Sequence, residues 1–475
     1  MRRSTFLYSG AGAMLAVTLP AMRKRALAQD VIDLTLTSAP LQFAPVSGIS
    51  FAGLAYNGTI PGPLLRVTHG QRVRIRYVNH SGVATTVHWH GMILPNDMDG
   101  VPGVTQPAVP DGGSFMYEFA PGPPGTRWYH DHAAHLAAVR GLFGMFVVDD
   151  PHDQPAGAEF ALVFHDVPSM RSVYAAMKGT SNAPMVDPMG SPEMDEMRPG
   201  DRMGDEVAYP AHCIDGASYP GTKSLAVKVG QRVRLRILNA NPTQTRYLRL
   251  AGHRLTVTHT DGNRLQQPVT VDALRLGVAE RLDAWFEVRK PGAWLLQTLL
   301  STPTAYQQAA LVATPGMEQS SPMGVSSMLE GIESFTYLGA GGRAPSLPPY
   351  HADRRAHYIL DKDPHVPGRW TMNGKSWPNV PPLLVRRGDR VEISFENRSD
   401  MEHPMHLHGH RFALVSTNGI PLARPPLKDT ALVAPWKGTM TWRFVADAFP
   451  GTWLMHCHNA VHMMGGMMTE VRYVD

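Results

Sequence analysis

Apolar and polar residues alternate along three stretches of the chain that share one sequence pattern. In the first stretch, Val73, Ile75 and Tyr77 lie on one face of an extended backbone, and arginines fill the positions between them. Alternation with a period of two is typical of a half-buried strand and excludes a helical repeat. The three copies, each running from a Gly to an Asn nine residues later, occupy residues 70–79, 230–239 and 388–397.

Turn signals accompany each copy in the same order. An Asn-Gly or Asp-Gly pair precedes the strand and favours a tight hairpin, and a later Pro-Gly pair opens another apolar run. The turn pairs are Asn57-Gly58, Asp215-Gly216 and Asn373-Gly374, and the Pro-Gly pairs are Pro124-Gly125, Pro291-Gly292 and Pro450-Gly451. Short strands at regular spacing favour Greek-key folds. We therefore predict an all-β protein of three consecutive Greek-key β-sandwich or barrel domains.

The repeat spacing of about 160 residues sets the expected domain boundaries. Domain one is predicted at 29–152, domain two at 153–320, a linker at 321–350 and domain three at 351–475. Within domain two, residues 168–206 are rich in Met, Pro and acidic residues and break the strand pattern, so we interpret them as an insertion.

The first 28 residues have the features of an export signal. Arg2 and Arg3 precede an apolar run, and small residues up to Ala28 provide a cleavage site. The run is shorter than the roughly 20 residues that a membrane span needs, and Pro20 interrupts it. The paired arginines favour the Tat route, with Sec as the alternative. We expect a periplasmic or otherwise exported protein with no membrane span in its mature chain.

The net charge gives no support for binding nucleic acid. The chain has 44 Lys and Arg against 40 Asp and Glu, but five of the basic residues and none of the acidic ones lie in the leader. The remaining 39 basic and 40 acidic residues leave the mature chain close to neutral. We therefore expect no nucleic-acid partner.

Histidine pairs separated by one residue recur at fixed offsets in the first and third copies. Nine residues after the repeat Asn stand His-Trp-His-Gly and His-Leu-His-Gly, and five residues after the Gly of Pro-Gly stand His-Asp-His and His-Cys-His. The middle copy has Leu-Arg-Leu and Gln-Thr-Leu there. Residues i and i+2 of a strand share a face, so each pair presents two imidazoles to a common site. The eight residues are His88, His90, His130, His132, His406, His408, His456 and His458.

Two alternatives to a copper cluster explain these histidines less well. A single His on an apolar strand is usually a core residue with its hydrogen bonds satisfied, but four pairs at matched offsets do not fit that explanation. Structural zinc takes four ligands in a closed tetrahedron and does not need eight imidazoles from two domains. Copper suits a larger imidazole cluster.

A second set of metal-ligating residues surrounds Cys457. His403, Cys457 and His462, with Met467 five residues further on, supply the two imidazoles, thiolate and weak axial thioether of a blue-copper site. Cys457 points away from the histidines on either side of it, so a short covalent path joins the two sites. A disulfide with Cys213 is the alternative; we expect Cys213 to be a buried strand residue instead.

These motifs resemble the four copper motifs of the multicopper oxidases. The resemblance rests on His-Trp-His-Gly, His-Asp-His, His403-Pro-Met-His-Leu-His-Gly, and His-Cys-His followed by His462 and Met467. It covers essentially the whole mature chain, and Tyr56-Asn-Gly-Thr-Ile-Pro-Gly-Pro63 is similar to bacterial three-domain laccases and copper-resistance oxidases. The resemblance implies cupredoxin-like domains and four copper ions, one of type 1, one of type 2 and a type 3 pair.

The resemblance also assigns the ligands by motif position. His88 and His406 would hold the type 2 copper. His90, His130 and His458 would hold one type 3 copper, and His132, His408 and His456 the other. The type 1 copper would take His403, Cys457 and His462, with Met467 as the axial ligand. The cluster would lie between domains one and three, with domain two as a bridge.

The implied reaction removes electrons one at a time from a small reducing substrate and uses four of them to reduce dioxygen to two waters. Electrons would enter at the type 1 copper, and Cys457, His456 and His458 would relay them, which makes these three residues candidate catalytic residues. The expected partners are dioxygen and the reducing substrate, and we expect a monomer.

Asp99 is the candidate proton source. It lies nine residues after His90 and matches in position an acidic residue that family members use beside the type 2 copper. An ordinary turn residue in Asp99-Gly100 is the alternative. Many bacterial relatives carry a Glu directly after the second type 1 histidine, but Met463 stands there, which puts the usual proton path in doubt.

Three further residues lie next to the ligand motifs. His135 and His410 are expected either beside the ligands or at the surface. Glu402 directly precedes His403 and is a candidate for orienting it.

The electron donor is the open question. The insertion combines acidic residues with Met185, Met189, Met194, Met197 and Met203, and soft thioethers prefer Cu(I). This composition favours a cuprous oxidase that protects the cell envelope, whereas an ordinary surface loop is the alternative. A laccase acting on phenols or aromatic amines, and a copper store without turnover, also remain possible.

Overall fold

The computed structural model of the protein describes residues 31–46, 48–133, 136–180, 207–299, 308–325 and 331–474. The expected leader, His135 and the methionine-rich part of the insertion lie outside the described residues, so what the sequence predicts for them stays a prediction.

Two β-sheets around one apolar core form the first domain. Their strand orders are β2-β1-β4-β6 and β3-β8-β7-β5. The strands are β1 Val31–Val46, β2 Ile49–Tyr56, β3 Leu65–Thr68, β4 Arg72–Asn79, β5 His88–His90, β6 Ser114–Phe119, β7 Gly125–His130 and β8 Phe143–Asp149, and a short 3-10 helix spans Asn96–Met98. Side chains from both sheets, among them Ile75, Trp89 and Phe146, share the core.

The second domain repeats this plan with larger sheets. Their strand orders are β10-β9-β12-β17-β14-β15 and β11-β19-β18-β13-β16. The elements are β9 Ala158–Val167, α1 Met170–Met177, β10 Ala211–Ile214, β11 Leu225–Ala226, β12 Arg232–Asn239, β13 Arg246–Leu250, β14 Leu255–Thr260, β15 Asn263–Val271, β16 Leu274–Leu276, β17 Arg281–Glu287, β18 Ala293–Leu299 and β19 Ala309–Ala313. Cys213 is a free, buried residue of β10, as the sequence predicts.

The third domain contains both sheets again and the short helix α3, and a further short helix, α2, precedes it in the predicted linker. The sheets run β21-β20-β23-β29-β25-β26, with β27 paired to β25, and β22-β31-β30-β24-β28. The elements are α2 Tyr337–Gly341, β20 Arg354–Lys362, β21 Trp370–Met372, β22 Leu383–Val385, β23 Arg390–Asn397, β24 His403–Leu407, β25 Phe412–Thr417, β26 Ile420–Pro421, β27 Leu427–Lys428, β28 Thr430–Val433, β29 Gly438–Val445, β30 Thr452–Cys457, α3 Ala460–Met464 and β31 Met468–Tyr473.

The pairing pattern confirms three copies of one fold. The opening strand of each domain runs parallel to the strand of the sequence repeat, β1 with β4, β9 with β12 and β20 with β23. The closing strand runs parallel to a short early strand, β8 with β3, β19 with β11 and β31 with β22. At the predicted hairpin turns Asn57, Asp215 and Asn373 have positive φ, and each is followed by a Gly with positive φ.

The Asn that ends each repeat is buried and joins two loops. Asn79 Nδ2 donates to the carbonyls of Val83 and Val109, and its Oδ1 accepts from the amide and hydroxyl of Ser81. Asn239 and Asn397 make the corresponding bonds in the other domains. Because the histidine-bearing strands begin shortly after this Asn, its bonds fix where those strands start.

A separate apolar cluster joins the three domains. It combines Trp128 and Phe143 from the first domain, Leu238 and Val278 from the second and Leu432 from the third. Within the described ranges, no helix has the length and apolar character needed to cross a membrane.

Candidate metal centres

The paired histidines occupy adjacent strands with the same register in the outer domains. In domain one β5 pairs with β7, and His88 lies opposite His130. In domain three β24 pairs with β30, and His406 lies opposite His456. The equivalent strands β13 and β18 of domain two carry no histidine. One framework thus presents imidazoles in two domains and omits them in the third.

The two sets of imidazoles meet across the interface between domains one and three. The rings of His90 and His406 stack with centroids 3.7 Å apart, and those of His88 and His408 lie 3.9 Å apart. Six of the eight residues are buried, and His132 and His458 are half-buried. The structure therefore brings all eight predicted cluster residues into one site.

The ring nitrogens that face this site are arranged to bind metal. Five of them have no hydrogen-bond partner within the described part of the chain, namely Nε2 of His88, His130, His406 and His458 and Nδ1 of His90. The Nε2 atom of His456 lies 3.3 Å from that of His132 and 3.0 Å from that of His408. Metal–nitrogen bonds of about 2.0 Å place two ligands of one ion about 3 Å apart, so these separations fit a shared metal ion.

Backbone carbonyls hold the opposite nitrogen of four of these rings. Nδ1 donates to the carbonyl of Asp99 in His88, of Asp131 in His130, of Asp429 in His406 and of Cys457 in His456, over 2.8–2.9 Å. A donor hydrogen on Nδ1 leaves the lone pair on Nε2, directed into the site.

Asp99 connects two of the predicted copper sites. It is buried, and its Oδ2 accepts from His408 Nδ1 at 2.8 Å, while its Oδ1 lies 3.3 Å from His88 Nδ1. Both carboxylate oxygens therefore face imidazoles of the cluster. An exposed turn residue would not show these contacts, although the proton-supplying role itself stays a prediction.

His90, His406 and Asp429 also lie close enough together to form a three-ligand group. We do not assign a metal to that group, because the Asp429 carboxylate is already bound by the guanidinium of Arg281. The His406 nitrogen on this side, Nδ1, is the one that donates to the Asp429 carbonyl. Asp429 is therefore a hydrogen-bond partner of the ligands.

His403, Cys457 and His462 come together in the core of domain three. The two Nδ1 atoms lie 3.0 Å apart, and the Cys457 Sγ lies 3.7 Å from that of His403 and 3.5 Å from that of His462. Metal–nitrogen and metal–sulfur bonds of about 2.0 and about 2.3 Å are compatible with all three separations. Met467 is buried in the same core cluster, and its carbonyl accepts from the Cys457 amide at 3.0 Å.

Three residues that the sequence pattern does not single out support this second site. The Ser399 hydroxyl lies 2.7 Å from His403 Nε2, and the Trp370 ring packs against His462 at a tilt of 40° with centroids 3.8 Å apart. Asn459 caps α3 by accepting from the His462 amide at 3.3 Å. Two of these three residues could have been identified from the sequence. Ser399 lies two residues after a repeat Asn, and Asn459 directly precedes a short helix.

Burial keeps the imidazoles neutral. Desolvation lowers the pKa of His403 to about 3, with a further contribution from Lys362, and lowers the pKa of His456 to about 4. Seven further histidines have pKa values well below 6.5, with desolvation as the largest cause and the neighbouring imidazoles as the next. They are His90, His130, His132, His406, His408, His458 and His462. Metal binding requires neutral imidazoles, so the site is in the correct protonation state at neutral pH.

Glu402 turns toward domain two, so the expectation that it orients His403 is wrong. Its carboxylate pairs with Arg275 and accepts from the Thr245 hydroxyl at 2.8 Å. His410 is buried beside the cluster, where its Nδ1 donates to the His408 carbonyl at 2.9 Å.

Two cavities border the cluster. The larger, of about 610 Å³, lies between domains one and three and is lined by His132, Arg369, Trp377 and Met468 among others. The smaller, of about 60 Å³, contacts three imidazoles of the predicted type 3 pair. Met463 lines both cavities and gives each of them an apolar side chain at this position.

Comparison with known proteins identifies relatives along the whole chain. Three family models, each described as multicopper oxidase, match residues 41–153, 193–314 and 351–475. The multicopper oxidase MmcO of Mycobacterium tuberculosis is 35% identical over 98% of this chain and 92% of its own length. A copper resistance protein A homolog of Pseudomonas syringae is 26% identical over 93% and 92%, and laccase-1 of Fomitopsis schrenkii is 26% identical over 96% and 88%.

Solved structures show the same architecture. A multi-copper oxidase from Pseudomonas thermotolerans superposes with a TM-score of 0.71 at 24% identity, over 94% of this chain and 100% of that one. The three β-domains therefore have the cupredoxin-like arrangement that the sequence predicts.

The buried imidazoles make the stability of the metal-free protein depend on pH. Their folded-state pKa values lie below 6.5, so the unfolded chain binds more protons as the pH falls below 6.5 and the free energy of unfolding decreases. Each such histidine contributes up to about 1.4 kcal/mol per pH unit between pH 6.5 and its folded pKa. We expect the calorimetric Tm of metal-free protein to fall steeply from pH 7.5 to 5.5. His130→Asn should make this dependence shallower, and a Tm that does not change over this range would contradict the prediction.

Proposed function

Because the chain belongs to the multicopper oxidase family, which couples the oxidation of a reducing substrate to the reduction of dioxygen, we propose that its principal electron donor is Cu(I). The observation that carries this proposal is the helix α1, which lies over the Cys457 site and leads into the methionine-rich segment.

The geometry supports the ligand set that the sequence motifs predict. His403, Cys457 and His462, with Met467, would hold the type 1 copper, and His88 and His406 the type 2 copper. His90, His130 and His458 would hold one type 3 copper, and His132, His408 and His456 the other. The cluster of converging Nε2 atoms and the three-ligand group around Cys457 support these assignments.

The bound copper ions supply four one-electron centres, matching the four electrons that convert dioxygen into two waters. The chain connects the two sites directly, because Cys457 is bonded to His456 on one side and to His458 on the other. Its Sγ faces the two imidazoles of one site, while the flanking rings belong to the other. This short covalent path is the proposed route of electrons.

Asp99 is the proposed proton source for oxygen reduction. Its carboxylate contacts His408 and His88 and is buried in the same layer as the ligands. No carboxylate is available from position 463, since Met463 stands there. Asp99 thus reaches both the predicted type 2 and type 3 sites, and its carboxylate is not bound by an arginine as that of Asp429 is.

The helix α1 packs on α3, the helix that carries His462. Val173 and Ala176 of α1 share an apolar cluster with Val461 of α3. At the end of α1, a Cβ added to Gly179 would lie 2.5 Å from the amide nitrogen of Gly368, so this segment contacts the loop that leads to Trp370. His403 and His462 are both fully buried.

The residues that flank the segment 181–206 on both sides pack close to α3 and to the loop before Trp370. Val207 belongs to the same apolar cluster as Val173 and Val461. The amide of Ser169, at the start of α1, donates to the Ala208 carbonyl at 2.8 Å, which joins the start of this helix to the chain that follows the segment. The sequence between these flanking residues contains five methionines, and thioethers prefer Cu(I).

Laccase activity is the second candidate. A laccase is among the relatives, and the cavity of about 610 Å³ beside the end of α3 is large enough for a phenol or an aromatic amine. A store without turnover would use the same ligands and is separated from both by the oxygen measurements below. The leader motif supports export to the periplasm, and a monomer remains our expectation.

Replacing Asp99 by Asn tests its role. The amide keeps the size and one acceptor oxygen but cannot release a proton, so we expect oxygen consumption to slow by about 10- to 100-fold while the blue thiolate absorption stays unchanged. Stopped-flow oxygen uptake of the fully reduced protein measures the first quantity. A variant that consumes oxygen at the wild-type rate would rule Asp99 out.

The donor is identified by comparing oxygen uptake with Cu(I) and with a phenolic dye, before and after deletion of residues 181–204. We expect Cu(I)-dependent uptake to fall by at least about tenfold and dye-dependent uptake to persist, because the deletion removes the five thioethers of the segment. A control that changes all five segment methionines to Leu keeps the length and apolar character and should lose Cu(I) activity alone.

Unchanged Cu(I) turnover in both variants would defeat the proposal and favour the laccase function. Copper-loaded wild type that is blue but consumes no oxygen with any donor would instead indicate a store.

A further inference from the structure

Arg281, the first residue of β17, extends from domain two into the junction of all three domains. Its side chain is fully buried. Nη1 lies 2.9 Å from Asp429 Oδ1, and Nη2 pairs with Asp429 Oδ2, so the guanidinium binds the carboxylate through two parallel bonds. Domain two therefore contacts the residue of domain three that precedes β28.

Asp429 in turn contacts two predicted copper ligands from different domains. Its Oδ1 lies 3.1 Å from Nε2 of His90, and its backbone carbonyl accepts from Nδ1 of His406 at 2.8 Å. The neighbouring Thr430 hydroxyl lies 3.0 Å from the same His90 nitrogen. Arg281, Asp429 and His90 thus form a chain of contacts that passes from domain two through domain three into domain one.

Among the eight paired histidines, His90 differs in which nitrogen it presents. Its Nε2 is engaged by Asp429 and Thr430, and its Nδ1 is the buried atom without a hydrogen-bond partner in the described chain. His88, His130 and His406 have the reverse arrangement, with Nδ1 on a backbone carbonyl. A backbone carbonyl is fixed by the strand, whereas a carboxylate side chain must be held in place by other groups.

The surroundings of Asp429 provide that support. Asp261 of domain two accepts from the amides of Asp429 at 3.3 Å and Thr430 at 3.2 Å, and from the Arg281 amide at 3.0 Å. Gly91, directly after His90, has a φ of +79°, and a Cβ there would lie 2.5 Å from Asp429 Oδ2 and 2.6 Å from Arg281 Nη2. The ion pair therefore packs directly against the backbone that carries His90.

We propose that Arg281 is a positioning residue for the oxygen-reducing cluster, acting through Asp429 to direct Nδ1 of His90 at the metal. Domain two, which contributes no ligand, then controls the geometry of a ligand in domain one. This inference rests on the proposed copper ligands.

The test compares Arg281→Met and Arg281→Lys with a matched control, Arg234→Met. Arg234 is also a buried arginine of domain two in an ion pair, with Nη2 2.6 Å from Asp283 Oδ2, and it makes no contact with a predicted ligand. Copper per chain, the blue thiolate absorption, the near-ultraviolet absorption of the coupled copper pair and its EPR silence are recorded for each protein.

Arg281→Met is expected to keep the blue absorption but to lose the coupled-pair absorption and bind copper at the cluster about 10- to 100-fold more weakly. Lys supplies the charge without the bidentate fork, so Arg281→Lys should recover part of the loss. Arg234→Met should retain all copper signals. If Arg281→Met does not fold, Asp429→Asn, which keeps the shape and removes the charge, should give the same selective loss.

Three results distinguish failure of the proposed function from failure of the positioning role of Arg281. Wild type that fails to bind four copper ions would contradict the proposed function itself. Wild type with four copper ions and a variant Arg281→Met, or Asp429→Asn, with the full coupled-pair signal would overturn the positioning role alone. Equal copper loss in Arg234→Met would also overturn it, because the effect would then be a general loss of stability.

Discussion

The structure depends on the convergence of eight imidazoles, six of them buried, at one interdomain junction, each with one nitrogen turned inward. A buried nitrogen without a hydrogen-bond partner costs about 1–3 kcal/mol, so such a cluster would be unfavourable in a core built for stability alone. The cost is offset when a metal ion takes the lone pairs, and the converging Nε2 atoms of His132, His408 and His456 have the spacing for it. Backbone carbonyls and Asp99 hold the outward nitrogens and thereby fix which atom faces the metal.

The three copies of the β-fold contribute differently to this convergence of imidazoles. The outer copies use the same strand register to place His88 opposite His130 and His406 opposite His456. The middle copy has the same framework without histidines on β13 and β18, and its charged residues reach the junction of the other two. Arg281 and Asp261 surround Asp429, and Arg275 holds Glu402. Two domains therefore carry the predicted ligands, and the middle domain holds residues of the third domain in place.

Much of this arrangement could be predicted from the sequence, because it follows from periodicity and offsets. The Gly-to-Asn repeat gave three β-domains, and the His-x-His spacing placed two imidazoles on one strand face. Glu402 was misjudged because adjacency along the chain does not determine direction; consecutive side chains of an extended segment point to opposite sides. Arg281, Asp429 and Trp370 contact other domains or segments that are distant in the sequence. Such contacts produce no local sequence pattern and therefore could not be predicted. The helix α1 over the Cys457 site was likewise invisible, since its effect comes from packing on α3.

The central claim is that the two outer domains jointly bind three metal ions while a fourth lies beside Cys457. Anomalous diffraction from crystals of the copper-loaded protein, recorded on both sides of the copper absorption edge, tests it most directly. The account predicts one peak among His403, Cys457 and His462 and three among the eight paired imidazoles, with His90 coordinating through Nδ1. Absence of copper among the paired imidazoles, or a single ion there, would contradict it.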